Sequence, residues 1–521
     1  MTIRNISNLK ITGAILTGLM LTCSFPKFNL PYLAWFALIP LLMAIRDMSV
    51  KKSFRLGFLS GFVHFLTLIY WIVNTIKTYG HVPLFLCLPI LVLLCSYLAL
   101  YIGGFSAALS GFSRKRAMLM LTIPVLWVCL EYIRTYFMSG FPWGLLGYSQ
   151  SSQLSVIQIS DIFGVFGVSF LILMSNAAFF LLLLYILKKP WHGQSVSGKI
   201  AGLSVFVFIF FFCAAWFYGK YQISFFDRLI SESPCLRAAV IQGNIDQDKK
   251  WDPPFQQSTI QKYIKLSKTA AKQKPDIIIW PETATPFYYQ NNITLTKLIK
   301  KTIQETRTDF LIGTPSFRVN GNTVNYFNSA YLINAHGKIS DKYDKVHLVP
   351  FGEYVPFQKW FPFIRKITAH SGDFSSGYKG NTLALHEHRL GVQICFEIIF
   401  PNLSRAMAQN NADILITLTN DAWFGRSASP FQHFSMTVFR AVENKRSLVR
   451  SANTGISGFI DPLGRVIRET PLFQDITITR NLPIIKNKTI YTQYGDFFAI
   501  ACLALTLIGI GCRISGIGTG Q

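Results

Sequence analysis

One cysteine, one lysine and one glutamate each lie beside an apolar run that is typical of a β-strand. Cys395 ends the run 390–394, Lys345 stands in the stretch 344–353 just before Val346, and Glu282 follows a run through Trp280. A thiol becomes a nucleophile when a base takes its proton, and a cation then stabilises the thiolate and the later oxyanion. The three residue types therefore predict a thiol acyl-transfer site built from Glu282, Lys345 and Cys395.

Each of these residues also has an ordinary explanation. A cysteine at the end of a strand is more often inert core than nucleophile. Lys345 could be a solvated cation in the charged stretch 341–345, and a lone glutamate such as Glu282 is weak evidence. Their shared position favours chemistry, because loops beyond strand ends collect catalytic groups over a rigid sheet.

The composition indicates a membrane protein with one large soluble domain. Of the 521 residues 51% are hydrophobic and only 14% are charged, and the mean hydropathy is +0.35. The apolar excess lies in the first 220 residues and in one run near the end of the chain. The net charge of +25 could suggest nucleic acid. Many of the cations flank apolar runs, however, so we expect an anionic lipid surface as the partner and no nucleic acid.

Eight apolar runs have the length of membrane spans. They cover approximately 9–25, 28–46, 55–76, 82–108, 117–137, 160–187, 199–218 and 492–512. A cleaved signal peptide is the alternative for the first run, but no small-residue cleavage site follows it. The runs predict a transmembrane domain of seven spans at 1–220, an α/β catalytic domain at 221–488, and an eighth span with a short tail at 489–521.

Lysine and arginine residues in the short loops predict the orientation of the spans. The loops before the first span and after the second, fourth and sixth are rich in cations, whereas the alternate loops carry few. Both chain termini are therefore expected in the cytoplasm. The large domain follows an odd number of spans, so it is expected on the opposite side of the membrane.

The nine cysteines give no metal or disulfide pattern. Only Cys235 and Cys395 lie in the soluble part of the chain. A bridge between them is possible on counting alone, but it would consume the proposed nucleophile, and we expect none. No metal-ligand spacing is present, so we expect neither a metal ion nor another cofactor.

The soluble part alternates β-rich runs with helical stretches. This mixture predicts an α/β or layered α+β domain. Strands are expected at 236–242, 276–280, 310–314, 329–333, 390–394, 414–419 and 448–451, and helices at 256–274 and 430–444.

Several motifs resemble known families. The triplet Trp280-Pro281-Glu282, Lys345 followed by Phe351-Gly352-Glu353, and Ile394-Cys395-Phe396-Glu397 are similar to the Glu-Lys-Cys signatures of the nitrilase superfamily. The added spans, together with the segments 242–245, 251–253 and 420–425, resemble its membrane-embedded branch, the apolipoprotein N-acyltransferase family. This resemblance extends over nearly the whole chain.

The resemblance implies a fold and a reaction. The fold is a polytopic α-helical membrane domain joined to a nitrilase-like α-β-β-α sandwich. The reaction moves a fatty acyl chain from a phospholipid, typically phosphatidylethanolamine, to the α-amino group of a diacylglyceryl-cysteine at the start of an apolipoprotein. It proceeds by a ping-pong mechanism through a thioester on Cys395. The location implied is the bacterial inner membrane, with the catalytic domain on the periplasmic side.

The resemblance also assigns supporting residues. Glu353 and Glu397 match carboxylates that hold the lysine and shape the pocket. Trp251 and Trp423 match aromatic residues near the acyl or lipid path, although plain core packing explains them as well. Phe396 stands where some relatives are expected to carry tyrosine, which puts in doubt any role for a hydroxyl there. The aromatic segment 354–363 reads either as a membrane-contacting lid or as an ordinary packed loop.

Two other functions remain open at this point. A membrane-tethered amidase or nitrilase-like hydrolase would use the same three residues, with water in place of the amine. A transporter with a regulatory domain would instead place ionisable residues deep in the spans, where Glu131 and His64 are the candidates. The aromatic loop 138–159 reads as an interfacial anchor or as the lining of a lipid site.

Overall fold

The computed structural model describes residues 7–80, 82–112, 116–356 and 373–514. The chain forms two compact units. One comprises the chain up to Lys77, Val82–Ile223 and the chain from Tyr494 onward. The other comprises Thr78–His81 and Ser224–Gln493. The predicted lid segment lies outside the described residues from position 357 onward.

The first unit is helical. Apolar residues dominate its helices, and their small residues allow close packing: a Cβ at Gly61 would lie 3.0 Å from Ala99 Cα of a neighbouring helix. Its helices are α1 (Asn8–Cys23), α2 (Ile39–Ile45), α3 (Val50–Leu68), α4 (Ile72–Tyr79), α5 (Leu84–Phe112), α6 (Leu119–Tyr136), α7 (Leu154–Ile157), α8 (Ser160–Ile186), α9 (Gly198–Glu232) and, from the end of the chain, Phe497–Ile514.

Four helices of the described residues are long and apolar enough to cross a membrane by themselves: α5, α6, α8 and α9. Helices α3 and α4 pass the same test together, but the chain bends by 55° between them. The other three predicted spans correspond to shorter apolar helices at 8–23, 31–45 and 497–512. Helix α9 continues to Glu232, well beyond the apolar run 199–218. The count of eight spans stays a prediction.

The loop that follows α6 is packed inside the first unit. Trp143 and Tyr148 are buried. The guanidinium of Arg134 donates to the carbonyl oxygens of Trp143 (2.7 Å) and Phe141 (3.2 Å), and Glu131 accepts from the backbone N–H of Leu146 at 2.7 Å. The ionisable side chains inside α6 therefore satisfy the backbone of an irregular loop, which is the arrangement that buried non-helical segments need.

The second unit contains two six-stranded sheets. The first sheet has the order β12-β1-β2-β3-β4-β5 and the second the order β11-β10-β9-β8-β7-β6. Strands β1, β2 and β3 run parallel in one sheet, as β7, β8 and β9 do in the other. The strands are β1 (Cys235–Gln242), β2 (Ile277–Ile279), β3 (Asp309–Asn320), β4 (Thr323–Ile333), β5 (Ile339–Asp344), β6 (Leu383–Leu385), β7 (His388–Ile394), β8 (Ile414–Thr419), β9 (Ser447–Ala452), β10 (Gly458–Ile460), β11 (Val466–Glu469) and β12 (Ile476–Pro483).

Helices cover the outer face of each sheet. The remaining helices are α10 (Gln247–Lys250), α11 (Pro253–Ala271), α12 (Ile293–Thr306), α13 (Pro401–Gln409), α14 (Ser429–Asn444) and α15 (Ile490–Tyr494), which makes the last apolar helix, Phe497–Ile514, α16. Helices α11 and α12 bury an apolar face against the first sheet, and α13 and α14 lie on the second. Between the sheets, Ser451 Oγ donates to the carbonyl oxygen of Ile279 at 3.1 Å. The predicted α-β-β-α sandwich is confirmed.

Candidate active site

The three proposed catalytic residues all stand just past strand ends. Cys395 follows β7 directly, Lys345 follows β5 directly, and Glu282 follows β2 after Trp280 and Pro281. Cys395 has φ +54°, in the left-handed region that a residue with a side chain rarely occupies. Such a sharp turn at a strand end lifts a side chain out of the sheet. All three side chains are buried in the same unit.

Four polar side chains form what we call the acid–lysine cluster: Glu282, Asn328, Lys345 and Glu353. The Nζ of Lys345 lies 2.9 Å from each carboxylate oxygen of Glu353 and 3.9 Å from Glu282 Oε1. The amide of Asn328 donates to both carboxylates, at 2.9 Å each. Glu282 Oε2 is buried, and within the described residues it has no hydrogen-bond partner. The cluster therefore leaves one carboxylate oxygen available to take a proton.

The charges of this cluster act on the thiol. Burial raises the pKa of Cys395, and the Glu282 carboxylate raises it further, while Lys345 opposes both effects. Burial also raises the pKa of Glu282, against the effect of Lys345 and with that of Glu353. Burial alone would lower the pKa of Lys345, but Glu353 and Glu282 outweigh it and the net pKa is raised. The lysine therefore stays charged, and the thiol needs a base to lose its proton.

A close approach of two strands holds Glu282 in place. A Cβ at Gly313 of β3 would lie 2.8 Å from the Cα of Glu282 and would overlap the carbonyl oxygen of Pro281. Only glycine fits where β3 passes the residues that follow β2. The glutamate is thus fixed by backbone packing as well as by Asn328.

Glu397 joins the strand that ends at the lysine to the strand that ends at the thiol. Its two oxygens accept from the Tyr343 hydroxyl and from the backbone N–H groups of Val346, His347 and Ile394, at 2.6 to 3.0 Å. Burial raises the pKa of Glu397 to about 7, although these donors favour the charged form. Because both oxygens are occupied, Glu397 is suited to hold Lys345 near Cys395 rather than to move protons.

A buried lysine that the sequence did not single out stands behind Glu282. Lys250 Nζ donates to the carbonyl oxygen of Glu282 at 3.2 Å and to the hydroxyl of Thr283 at 2.7 Å. Its side chain is fully buried. Burial lowers the pKa of Lys250 to about 8, and the charge of Glu282 opposes that effect.

The other predicted site residues lie at different depths. Phe396 is half-buried, and its ring contacts those of His347 and Phe400. Trp423 is half-buried in the short turn Asp421–Phe424. Trp251 is exposed and borders a groove of about 700 Å³ that also includes Phe287, Tyr288 and Phe374. Cys235 is exposed, and both it and Cys395 are free thiols.

Sequence reasoning also missed a second charged group beside the thiol, which we call the arginine cluster: Asp421, His433 and Arg450. Arg450 Nη2 lies 3.0 and 2.8 Å from the two oxygens of Asp421 and 2.9 Å from His433 Nδ1. All three side chains are buried. Arg450 stands inside β9, where it directly follows Leu448 and Val449, and a charge within a strand-like run is a signal that could have been read from the sequence.

Two family models match the chain. One is described as the apolipoprotein N-acyltransferase N-terminal domain and matches residues 17–178. The other is described as carbon-nitrogen hydrolase and matches residues 237–484. The first match ends within α8 of the helical unit, and the second extends over nearly all of the sandwich, including Glu282, Lys345 and Cys395.

Relatives that align over nearly the whole chain are named apolipoprotein N-acyltransferase. An apolipoprotein N-acyltransferase from Geobacter metallireducens is 41% identical over 497 residues, which cover 94% of this chain and 92% of the relative. One from Photobacterium profundum is 30% identical over 514 residues, covering 96% and 95%. Among solved structures, an amidase from Nesterenkonia sp. aligns with half of this chain and 92% of its own, with a TM-score of 0.38 and 18% identity. The chain belongs to the apolipoprotein N-acyltransferase family of the nitrilase superfamily.

Proposed function

We propose that this chain transfers a fatty acyl group from a phospholipid to the α-amino group of a diacylglyceryl-cysteine at the N-terminus of an apolipoprotein. The observation that carries the proposal is that a buried thiol, Cys395, feels the charges of the buried Lys345 and of Glu282, one oxygen of which has no partner within the described residues. The match of residues 17–178 to the apolipoprotein N-acyltransferase model, together with the relative of that name that is 41% identical over 94% of the chain, supports acyl transfer over the hydrolase alternative.

In the first half-reaction the sulfur of Cys395 attacks the carbonyl carbon of a phospholipid ester. Glu282 takes the thiol proton on the oxygen that has no partner, and Lys345 stabilises the thiolate and then the oxyanion. The C–S bond forms, the C–O bond to glycerol breaks, and Glu282 returns its proton to the leaving alcohol. A thioester on Cys395 and a lysophospholipid remain.

In the second half-reaction the free amine of the lipoprotein cysteine attacks the thioester. Glu282 takes a proton from the amine, the N–C bond forms, and the C–S bond breaks. The proton passes to the sulfur of Cys395, which restores the thiol. Lys345 stabilises the second oxyanion as it did the first. Donor and acceptor thus use one site in turn, which gives ping-pong kinetics.

The supporting residues have separate roles in this proposal. Glu353 holds the ammonium of Lys345, and Glu397 ties the lysine segment to the strand of the thiol. The groove beside Trp251 is apolar and aromatic, which suits an acyl chain or a lipid on its way to the site. Phe396, the residue after the nucleophile, and Trp423, in the turn that carries Asp421, each add half-buried apolar surface.

The donor and the setting complete the proposal. Phosphatidylethanolamine is the phospholipid that we expect as donor, in the inner membrane of a bacterium. The loop charges support an orientation with both termini in the cytoplasm and the sandwich on the periplasmic side. A reporter that is active only outside the cytoplasm should work when fused after Ser340 and fail after Ser113. The reverse pattern would overturn this orientation.

The reaction is tested by intact-mass measurement of the full-length protein in detergent after exposure to phosphatidylethanolamine. Wild type and Cys235→Ser should gain one acyl chain, located on the peptide that contains Cys395, and Cys395→Ser should gain none. A synthetic diacylglyceryl-cysteine peptide should then remove the acyl chain and become N-acylated. Normal N-acylation by a folded Cys395→Ser variant would refute the thioester. Release of free fatty acid at the same rate without the peptide would favour the hydrolase.

A further inference from the structure

The arginine cluster contacts the backbone of the nucleophile. A guanidinium can only donate hydrogen bonds, so His433 Nδ1, 2.9 Å from Arg450 Nη2, must accept one. The imidazole is then neutral, with its proton on Nε2. That Nε2 lies 3.2 Å from the carbonyl oxygen of Cys395, to which it donates. The position of one arginine therefore decides which tautomer faces the nucleophile.

The rest of the cluster fixes the arginine. Asp421 accepts from Arg450 through both oxygens, and the Thr419 hydroxyl donates to Asp421 Oδ1 at 3.0 Å. Asp421 Oδ1 also lies 3.3 Å from His433 Nδ1, but both atoms accept from Arg450 and no proton lies between them. A Cβ at Gly455 would overlap the Asp421 carboxylate. These contacts hold the Asp421 carboxylate and the Arg450 guanidinium in one relative position.

The charges agree with this assignment. Burial and the neighbouring Arg450 both lower the pKa of His433, which keeps the ring neutral although Asp421 opposes them. Burial would raise the pKa of Asp421, but the charge of Arg450 opposes that effect and the net pKa is lowered. A neutral ring beside this ionised pair keeps its proton on Nε2, which faces the carbonyl oxygen of Cys395.

The carbonyl of Cys395 and the N–H of Phe396 belong to the same planar peptide unit. A donor on the carbonyl oxygen therefore fixes the direction in which the N–H points. It also polarises the amide, which makes the N–H a stronger donor. In the proposed reaction the acyl carbon is bonded to the sulfur of Cys395, so this N–H of the next residue can donate to the oxyanion beside Lys345. The backbone at Cys395 has φ +54° and needs such support from its surroundings.

We propose that His433, held by Arg450 and Asp421, is a positioning residue for the peptide unit between Cys395 and Phe396, and that it aims and strengthens the backbone donor of the oxyanion site. The proposal rests on the proposed function, because it needs an oxyanion on the acyl carbon. It predicts that the cluster assists acyl transfer to the sulfur and leaves other reactions of the same sulfur unaffected.

The test compares two reactions of the Cys395 thiol in the full-length protein. Acylation by phosphatidylethanolamine passes through an oxyanion, whereas alkylation by iodoacetamide does not. Both rates are read by mass spectrometry on the peptide that contains Cys395. His433→Leu should lower the acylation rate about tenfold, less than the roughly 10²–10³-fold cost of losing an oxyanion donor itself. The alkylation rate should stay within about twofold of wild type.

Two further variants sharpen the comparison. His433→Gln places an amide N–H near the position of Nε2, so it should recover most of the acylation rate. His336→Leu, at an exposed histidine of a turn in the same unit, should match wild type in both reactions. In steady state, His433→Leu should lower kcat with little change in KM, because the interaction strengthens in the transition state.

The outcomes separate this proposal from the proposed function. If wild type forms no acyl adduct on Cys395, the proposed function fails. If wild type is acylated and His433→Leu is acylated equally fast, the positioning role is refuted. An equal loss of acylation and alkylation, without recovery in His433→Gln, would show a structural role for His433 and would also refute the proposal.

Discussion

Two buried clusters flank the same thiol, and they use similar groups to opposite effect. The acid–lysine cluster contains two carboxylates and one ammonium, and one oxygen of Glu282 lacks a partner within the described residues. The arginine cluster contains one carboxylate and one guanidinium, and both oxygens of Asp421 are bonded. Burial raises the pKa of Glu282, whereas Arg450 overcomes burial and leaves the pKa of Asp421 lowered.

The two carboxylates, Glu282 and Asp421, differ in the balance of charge around them and not in how deeply they are buried. A buried carboxylate with an excess of negative charge around it takes a proton readily, which suits a base. A buried carboxylate matched by a bonded guanidinium keeps its charge and its place, which suits a support. The comparison predicts that changes in the acid–lysine cluster abolish chemistry at little cost in stability. Changes in the arginine cluster should cost more stability and less activity.

The largest loss of activity is expected for Glu282→Gln. Gln keeps the shape and the bond from Asn328 but cannot take the proton of Cys395. Loss of a general base typically costs about 10²–10⁴ in rate. After exposure to phospholipid without acceptor, intact mass should show an unacylated protein. Glu305→Gln, at an exposed carboxylate of α12, is the control and should acylate normally. Accumulation of thioester at the normal rate in Glu282→Gln would exclude this base.

The next largest loss is expected for Lys345. Lys345→Met removes the cation that holds both oxyanions, and about 10²–10³ in rate should be lost. Lys345→Arg keeps the charge, but a planar guanidinium does not fit the space of a compact ammonium held between Glu353 and Glu282, so most activity should be lost as well. The exposed Lys301→Arg is the matched control. Full activity of Lys345→Arg would show that charge alone suffices.

The sequence predicts the central strands well and the outer strands poorly. All seven predicted strands correspond to observed ones, and the range 414–419 agrees with β8 at both ends, because buried strands are continuous apolar runs. Five strands at or near the sheet edges were missed: β5, β6, β10, β11 and β12. Strand β11 is exposed throughout, and β5 is mostly polar, so neither carries an apolar pattern. Helices α12 and α13 were also missed.

The residues of the candidate site also divide into those that the sequence predicts and those that it does not. Glu282 and Cys395 follow apolar runs, so their positions past strand ends could be predicted from local sequence. Lys345 follows the polar strand β5, and its place in the site was predicted from the motif that resembles the nitrilase superfamily. Asp421, His433 and Arg450 come from a turn, a helix and a strand, and their contact exists only in the folded sandwich. Spacing along the chain says nothing about which buried cation meets which buried carboxylate. Lys250 was missed for the same reason.

Stability should separate the two clusters. Asp421→Asn leaves Arg450 buried without its counterion, and breaking such a pair costs about 3–5 kcal/mol. Glu282→Gln removes one of two like charges near Lys345, so it should leave stability unchanged or raise it. Thermal unfolding of the detergent-solubilised variants measures both changes: the melting temperature should fall for Asp421→Asn and should stay the same or rise for Glu282→Gln. A lower melting temperature for Glu282→Gln than for Asp421→Asn would contradict the comparison.

The smallest effect is expected for Lys250, as a shift of pH dependence rather than a loss of activity. Glu282 is a base only when ionised, so acylation of Cys395 should decline as the pH falls through its raised pKa. The Lys250 ammonium favours the ionised form, and Lys250→Met should raise the pKa of Glu282 further. The acid limb of the acylation rate then moves to higher pH.

The pKa of Lys250 itself sets the pH above which the Lys250→Met substitution should no longer change the acylation rate. Burial lowers the pKa of Lys250 to about 8, so above that pH the wild type loses the same charge that Lys250→Met lacks. The two acylation profiles should therefore differ most below pH 8 and converge above it. Lys249→Met, at the exposed neighbouring residue, should follow the wild-type profile throughout. A constant ratio of rates across the whole pH range would mean that Lys250 acts by packing against Thr283 and not by its charge.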